Sequence, residues 1–145
     1  MKILIIGQAP PAVKQKLPYD TTLLYEIFSW VGIDKKKSKI LFEFESMTDV
    51  FPGFGKNGHL KPSKDVMKKH YDQTLKNKII KARKILVLGN VAKDALRENG
   101  IFSLKKEKDV LFLIHPSKRN YSKIMIKKKA IIKLLNNFIF KRKQI

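Results

Sequence analysis

The sequence predicts an α/β fold: a parallel, four-stranded sheet covered by helices on both faces. Three observations carry this. Short apolar runs alternate along the chain with stretches of helical periodicity, the signature of βα units. The runs are apolar at successive positions, as in strands buried on both sides. Each run ends abruptly, in Gly7, Glu43–Glu45, Gly89 or His115-Pro116-Ser117. At 145 residues the chain suits about one domain with a core of its own.

Lys2–Ile6 is the first strand, closed by Gly7. Gln8–Asp20 contains Pro10, Pro11 and Pro18 and is a loop. Leu24, Ile27, Phe28 and Val31 follow helical spacing, with Asp20 or Thr21 as N-cap and Gly32 as terminator. Lys39–Glu45 is the second strand. Met47–Pro62, with Pro52, Gly53, Gly55 and Gly58, is a loop. Met67, Tyr71, Leu75 and Ile79 recur every four residues, so Ser63–Lys81 is a helix with a basic outer face that exposes His70. Ile85–Leu88 is the third strand, after which Asn90 caps a helix to about Asn99. Val110–Ile114 is the fourth. Ile131, Leu134, Leu135 and Phe138 mark a final amphipathic helix.

Composition narrows the function. The chain has 32 Lys and Arg against 12 Asp and Glu, a formal net charge of +20. Such self-repulsion is offset most simply by a polyanion, and less simply by an anionic membrane surface. Ten of the cations lie in Ser117–Ile145, where there is no acid. There is no cysteine, which excludes disulfides, thiolate nucleophiles and Cys-ligated metal or iron–sulfur sites. No His/Asp cluster has metal-ligand spacing, so no cofactor or metal is expected. No apolar run approaches a membrane span, and the N-terminal run lacks a signal-peptide core and cleavage site, so a cytoplasmic protein is expected.

Ligands of parallel sheets bind beyond the C-terminal strand ends. Gly7-Gln8-Ala9-Pro10-Pro11 is neither a dinucleotide fingerprint nor a P-loop, but its prolines stiffen a loop at that edge. His115 ends the fourth strand before a basic, polar loop. A neutral imidazole there can donate a hydrogen bond to charge developing on a ligand. Ser117 is not a hydrolase nucleophile, because no Gly-x-Ser-x-Gly elbow exists.

The ordered pair of motifs, Gly7-Gln8-Ala9-Pro10-Pro11 after the first strand and His115-Pro116-Ser117 after the last, resembles the uracil-DNA glycosylase superfamily. Leu17-Pro18-Tyr19-Asp20 resembles the Pro-aromatic segment of the branch whose first motif reads Gly-Glu-Ala-Pro-Gly, while Phe51-Pro52-Gly53, Gly55-Lys56, Leu86–Ala92 and the extension Arg119-Asn120 resemble short glycosylase-like proteins of phages and bacteria. The resemblance spans nearly the whole chain, so residues 1–145 read as one such domain. It implies a three-layer α/β/α sandwich with a four-stranded parallel sheet, and a DNA glycosylase that flips and excises a uracil-like or modified base. By the same resemblance His115 and Gln8 are catalytic. Ala9, Tyr19, Glu45 and Ser46 bind the base, with Tyr19 stacking on it. Pro10, Pro11, Ser117, Lys118, Arg119, Asn120 and Tyr121 contact DNA, Tyr121 as a wedge. DNA is the expected partner of a monomer.

The chain departs from the family pattern in two places. Ala9 stands where the best-known uracil enzymes have a water-positioning Asp, and Gln8 where a related branch has Glu. Asp20, Glu43, Glu45 or Asp49 could substitute. Where an Asn usually reads the base edge, the neighbourhood is Glu43-Phe44-Glu45-Ser46, and a Glu there suits the exocyclic amine of a cytosine-like base. A four-Cys iron–sulfur cluster, found in one branch, is ruled out. The alternatives are a DNA-binding protein that keeps the fold without catalysis, and a protein acting on RNA or a nucleotide.

Overall fold

The computed structural model describes residues 2–8, 22–49, 54–55, 58–59 and 61–140. Four strands, β1 (Ile3–Gly7), β2 (Phe42–Ser46), β5 (Lys84–Leu88) and β6 (Val110–Leu113), form one all-parallel sheet in the order β2-β1-β5-β6. Two-residue strands β3 (Phe54–Gly55) and β4 (Gly58–His59) pair antiparallel, inside the stretch read from sequence as loop. The helices are α1 (Thr22–Ser29), α2 (Lys35–Leu41), α3 (Lys64–His70), α4 (Lys76–Lys81), α5 (Asn90–Glu98), α6 (Tyr121–Ile126) and α7 (Lys128–Phe140). A π-helical turn, Tyr71–Leu75, joins α3 to α4.

Alternate strand residues feed two separate cores. Ile3, Ile5, Phe42, Leu86, Leu88 and Leu113 pack with Leu24, Ile27 and Phe28 of α1 and with Ile131, Leu135 and Phe138 of α7. Leu4, Ile6, Ile85, Val87 and Val110 pack with Tyr71, Leu75, Ile79 and Leu96. A sheet with a helical layer on each face is the expected three-layer α/β/α sandwich. The period-2 geometry of a strand is what divides consecutive apolar residues between the layers.

The helix boundaries follow local chemistry. After α1, Gly32 adopts φ +79°; its N–H bonds to Ser29 O, and that of Ile33 to Phe28 O, at 3.1 and 3.0 Å. This is a Schellman end, with the expected glycine in the left-handed position. The exact four-residue repeat of Met67, Tyr71, Leu75 and Ile79 would drift about 40° per step around an ideal α-helix. The wider π turn takes up part of that drift and keeps all four buried.

Three sequence expectations need correction. The second strand starts at Phe42, because Lys39, Ile40 and Leu41 end helix α2. Asp34 caps that helix, accepting from Lys37 N–H at 2.8 Å. Its one buried residue is Ser38 and Ile40 is 67% exposed, so no apolar periodicity marked it. The cap of α5 is Gly89, one residue before Asn90. His70 is half-buried, not exposed, and its Nε2 has no hydrogen-bond partner among the described residues. Helix α6, with only Ile124 buried, also escaped the periodicity reading.

Cations close helix ends near the starts of the strands. Lys2 Nζ donates to Lys39 O in the last turn of α2 at 3.1 Å. Arg83 Nη2 donates to Ile139 O at 3.3 Å, and Lys84 Nζ to Phe138 O, both at the end of α7. Lys105 Nζ donates to Ala82 O at 2.6 Å, just past α4. Helix C-termini carry unpaired carbonyls and partial negative charge, so these sites suit ammonium and guanidinium groups. Burial, then the neighbouring Arg83 charge, lowers the Lys84 pKa. No helix of the described residues is long and apolar enough to cross a membrane.

A Cβ at Gly32 would meet nothing within 4 Å, so Gly32→Ala tests backbone conformation alone. It should cost about 1 kcal/mol in urea unfolding, with the m-value unchanged. An unchanged midpoint would contradict the left-handed assignment.

Candidate active site

Parallel pairing brings all four C-terminal strand ends to one edge. In the order β2-β1-β5-β6, the chain leaves β1 toward β2 and leaves β5 toward β6. The crevice between the ends of β1 and β5 is therefore the topological switch point, where ligands of open α/β sheets bind. Gln8 follows β1 and Gly89 follows β5, so these two residues flank it.

The β1 end is fastened to the β2 end. Met47 N–H is shared between Gly7 O at 2.9 Å and Gln8 O at 3.2 Å. Gln8 is half-buried. Ser46, opposite Gly7 in the register, is buried, and its hydroxyl donates to Thr48 O at 2.6 Å. Glu45 and Glu43 lie on the face that carries α4. There Lys78 Nζ sits 2.6 Å from Glu45 Oε2 and 3.1 Å from Glu43 Oε1. Burial pulls the Lys78 ammonium down, but hydrogen bonds and charge from Glu45 and Glu43 outweigh it. Its pKa ends above the ordinary value.

His115 reaches the same edge from β6. It is two strands from β1, roughly 10 Å at ordinary strand spacing. The ring leans back over Gly89: a Cβ built there would lie 3.1 Å from His115 Cβ and 3.2 Å from its Cδ2. Its carbonyl accepts from Ser117 N–H at 2.9 Å and from Asn120 Nδ2 at 3.0 Å. Burial, then the nearby Arg119 charge, lowers the His115 pKa from 6.5. The imidazole is accordingly neutral at pH 7, a donor at one nitrogen and an acceptor at the other.

Gln8, Ser46 and His115 thus stand at one edge, with Glu45 one residue back and turned to Lys78. Ser117 is half-buried at the foot of the turn, and Lys118, Arg119 and Tyr121 are exposed beyond it. Asn120 turns its amide inward to the His115 carbonyl. Ala9, Pro10, Pro11, Tyr19 and the N-cap candidates Asp20 and Thr21 lie outside the described residues. No group of His, Asp and Glu with metal-binding geometry occurs among the described residues.

The family model of the uracil DNA glycosylase superfamily matches residues 1–139. The chain belongs to the uracil DNA glycosylase superfamily. No curated protein matches it individually. Superfamily members are usually DNA glycosylases, so membership suggests DNA glycosylase activity in general, with DNA as substrate.

Two residues of this glycosylase-like edge had no role from sequence. Lys78 falls on the buried row of its helix, seven after Tyr71 and three after Leu75, and a lysine there signals a carboxylate partner. Gly89 closes a buried strand directly before a helix with no side-chain cap. Its φ of +84° and ψ of 166° are essentially restricted to glycine.

A neutral His115 in the folded state sets the sign of one pH effect. Below pH 6.5 the unfolded chain takes up a proton that the folded state resists, so stability falls as pH drops from 6.5 toward the lower folded pKa. Unfolding titrations of the wild type should show this loss, and His115→Gln should remove that share of it. Parallel curves for the two proteins would show that His115 is not held neutral.

Proposed function

We propose that the chain is a DNA base-excision glycosylase, which flips a uracil-like or modified base from DNA and hydrolyses its N-glycosidic bond. The single observation that carries the reading is His115: a neutral, half-buried imidazole at the C-terminal sheet edge, in a chain of this superfamily. In this reading the residues 1–145 form one domain, acting as a monomer in the cytoplasm.

The chemistry follows from charge. The bond between the base nitrogen and C1′ breaks, and its electron pair leaves with the base. Negative charge spreads onto the base carbonyl oxygen, while C1′ becomes electron-poor. Water adds at C1′ and gives up a proton, which neutralises the departed base anion, leaving an abasic sugar and the free base. A hydrogen bond from the neutral imidazole strengthens as the charge grows, so it stabilises the transition state more than the ground state. Gln8 cannot take a proton, but its amide can hold the base edge or orient the water. Tyr19 stacks on the flipped base. Ser46 borders the base, and Glu45 would accept from an exocyclic amine only by exchanging its Lys78 partner for the base. Ser117, Lys118, Arg119 and Tyr121 engage DNA beside the vacated position.

His115→Ala should slow single-turnover excision on the order of 10²–10³-fold, the loss of one oxyanion-type donor. The assay is a panel of oligonucleotides carrying uracil, hypoxanthine, xanthine and modified pyrimidines, with abasic sites cut by alkali. Full activity in the variant would remove His115 from the reaction.

A second reading is a non-catalytic DNA-binding protein. It is favoured by Ala9 and Gln8 in the first motif and by the pairing of Glu43 and Glu45 with Lys78. Tight DNA binding with no excision across the panel would select it.

Either reading requires salt-sensitive affinity. With ~4–6 phosphate contacts, log Kd against log salt should have a slope of roughly 4 to 5. Removing cations within Ser117–Lys133 should lower that slope more than removing Lys141–Lys143. Binding indifferent to salt would contradict both.

A further inference from the structure

We propose that Gly89 and Asn120 are positioning residues for His115. Gly89 leaves open the space its ring occupies, and Asn120 fixes the backbone from which the ring projects. The role in catalysis rests on the function proposed above; the placement of the ring does not.

The His115 carbonyl has two donors and its ring has a floor. The Ser117 N–H bond to His115 O spans three residues and centres on Pro116. Proline holds φ near −65°, close to the value of such a tight turn. A residue before proline is also confined to extended backbone. That turn alone fixes only the chain after His115. Asn120 Nδ2 adds a second bond to the same oxygen, from five residues on. Asn120 is itself tied back, because its N–H donates to Ser117 O at 3.0 Å. The turn is thus closed twice around one carbonyl.

The ring is fixed from below. Gly89 N–H donates to Leu113 O at 2.9 Å, which carries the β5–β6 pairing one residue past β5. This brings the Gly89 Cα directly under His115. Three ring-side atoms, Cβ, Cδ2 and Cγ, would lie 3.1, 3.2 and 3.5 Å from any Cβ at position 89. The first two are closer than ordinary contacts, and the neighbour that would have to yield is the imidazole itself. The imidazole thus rests its Cβ, Cγ and Cδ2 side on the glycine. A side chain at position 89 would push the ring off the end of β5, away from the crevice between β1 and β5.

Within the Ser117–Tyr121 segment, Asn120 turns its side-chain amide inward, to the His115 carbonyl. Its exposure is intermediate, whereas Lys118, Arg119 and Tyr121 are exposed. The segment therefore divides its work: Asn120 serves the imidazole, and its neighbours face outward.

The test reads His115 directly. Its ring C–H resonances are followed by NMR against pH in the wild type, Gly89→Ala and Asn120→Ala, with Arg119, the charge beside the ring, left intact. Both variants should shift the midpoint up toward 6.5, because a displaced ring regains water. An unchanged midpoint in both would overturn the proposal. Excision and DNA affinity are measured alongside. Displacing a reacting group by about 1 Å costs as much as 10²-fold in rate. Asn120→Ala should therefore slow excision by about that factor with Kd within twofold, and add nothing to His115→Ala. A weakened Kd with unchanged rate and unchanged midpoint would make Asn120 a DNA contact instead. If Gly89→Ala does not fold, Asn120→Ala decides. If the wild type excises no base, the glycosylase reading fails, and the NMR midpoints still decide the placement of the ring.

Discussion

Every residue of β1 is buried, and both its edges are taken by parallel neighbours. This one strand sets much of the architecture. Its odd residues require a helical layer on one face and its even residues a layer on the other. Parallel neighbours require crossovers, and the helices of those crossovers, with the C-terminal α7, supply the layers. The same pairing forces every strand to finish at one edge. A Gln just past the first strand and a His just past the last then stand at the same edge, although 107 positions separate them in sequence. The site is a by-product of how the core is closed.

At that edge the chain relies on backbone more than on side chains. Met47 N–H ties two strand ends together, Gly89 N–H ties two others, and the His115 carbonyl gathers two donors. Backbone ties cost little ordering entropy once the sheet exists, because the groups they join are already fixed. The carboxylates nearest the edge, Glu43 and Glu45, are by contrast drawn to Lys78 on the helical layer. Among the described residues at that edge, the polar groups left are the neutral Gln8, Ser46 and His115.

The sheet was legible because strands buried on both faces are apolar without interruption, as in Ile3–Ile6 and Ile85–Leu88. The edge was legible from Gly7 and His115-Pro116-Ser117, residues that must end a strand. What stayed hidden has a common cause: α2 and α6 bury one residue each, Ser38 and Ile124, so neither writes a periodic stripe. Helix α2 is marked instead by its cap, Asp34, and a cap is a weaker signal than a stripe. The partners Lys78 and Gly89 stayed hidden for another reason. Each position carries a local signal, but its partner, Glu45 or His115, lies far along the chain and no local pattern names it. The membership of Gln8 and His115 in one edge was readable; the tilt of the ring over Gly89 was not.

The cations that close helix ends give the chain two kinds of lysine. Lys2, Lys84 and Lys105, with Arg83, each serve a particular carbonyl on α2, α7 or the end of α4. The exposed lysines of α2, α6 and α7, helices that contain no acid, contribute to a sum. Under mutational drift the second kind can be lost at one position and regained at another, since a polyanion feels the total. The first kind has no such freedom, because only a cation at that position reaches that helix end. Divergent descendants of this chain should scatter their surface lysines while keeping these four anchored in place.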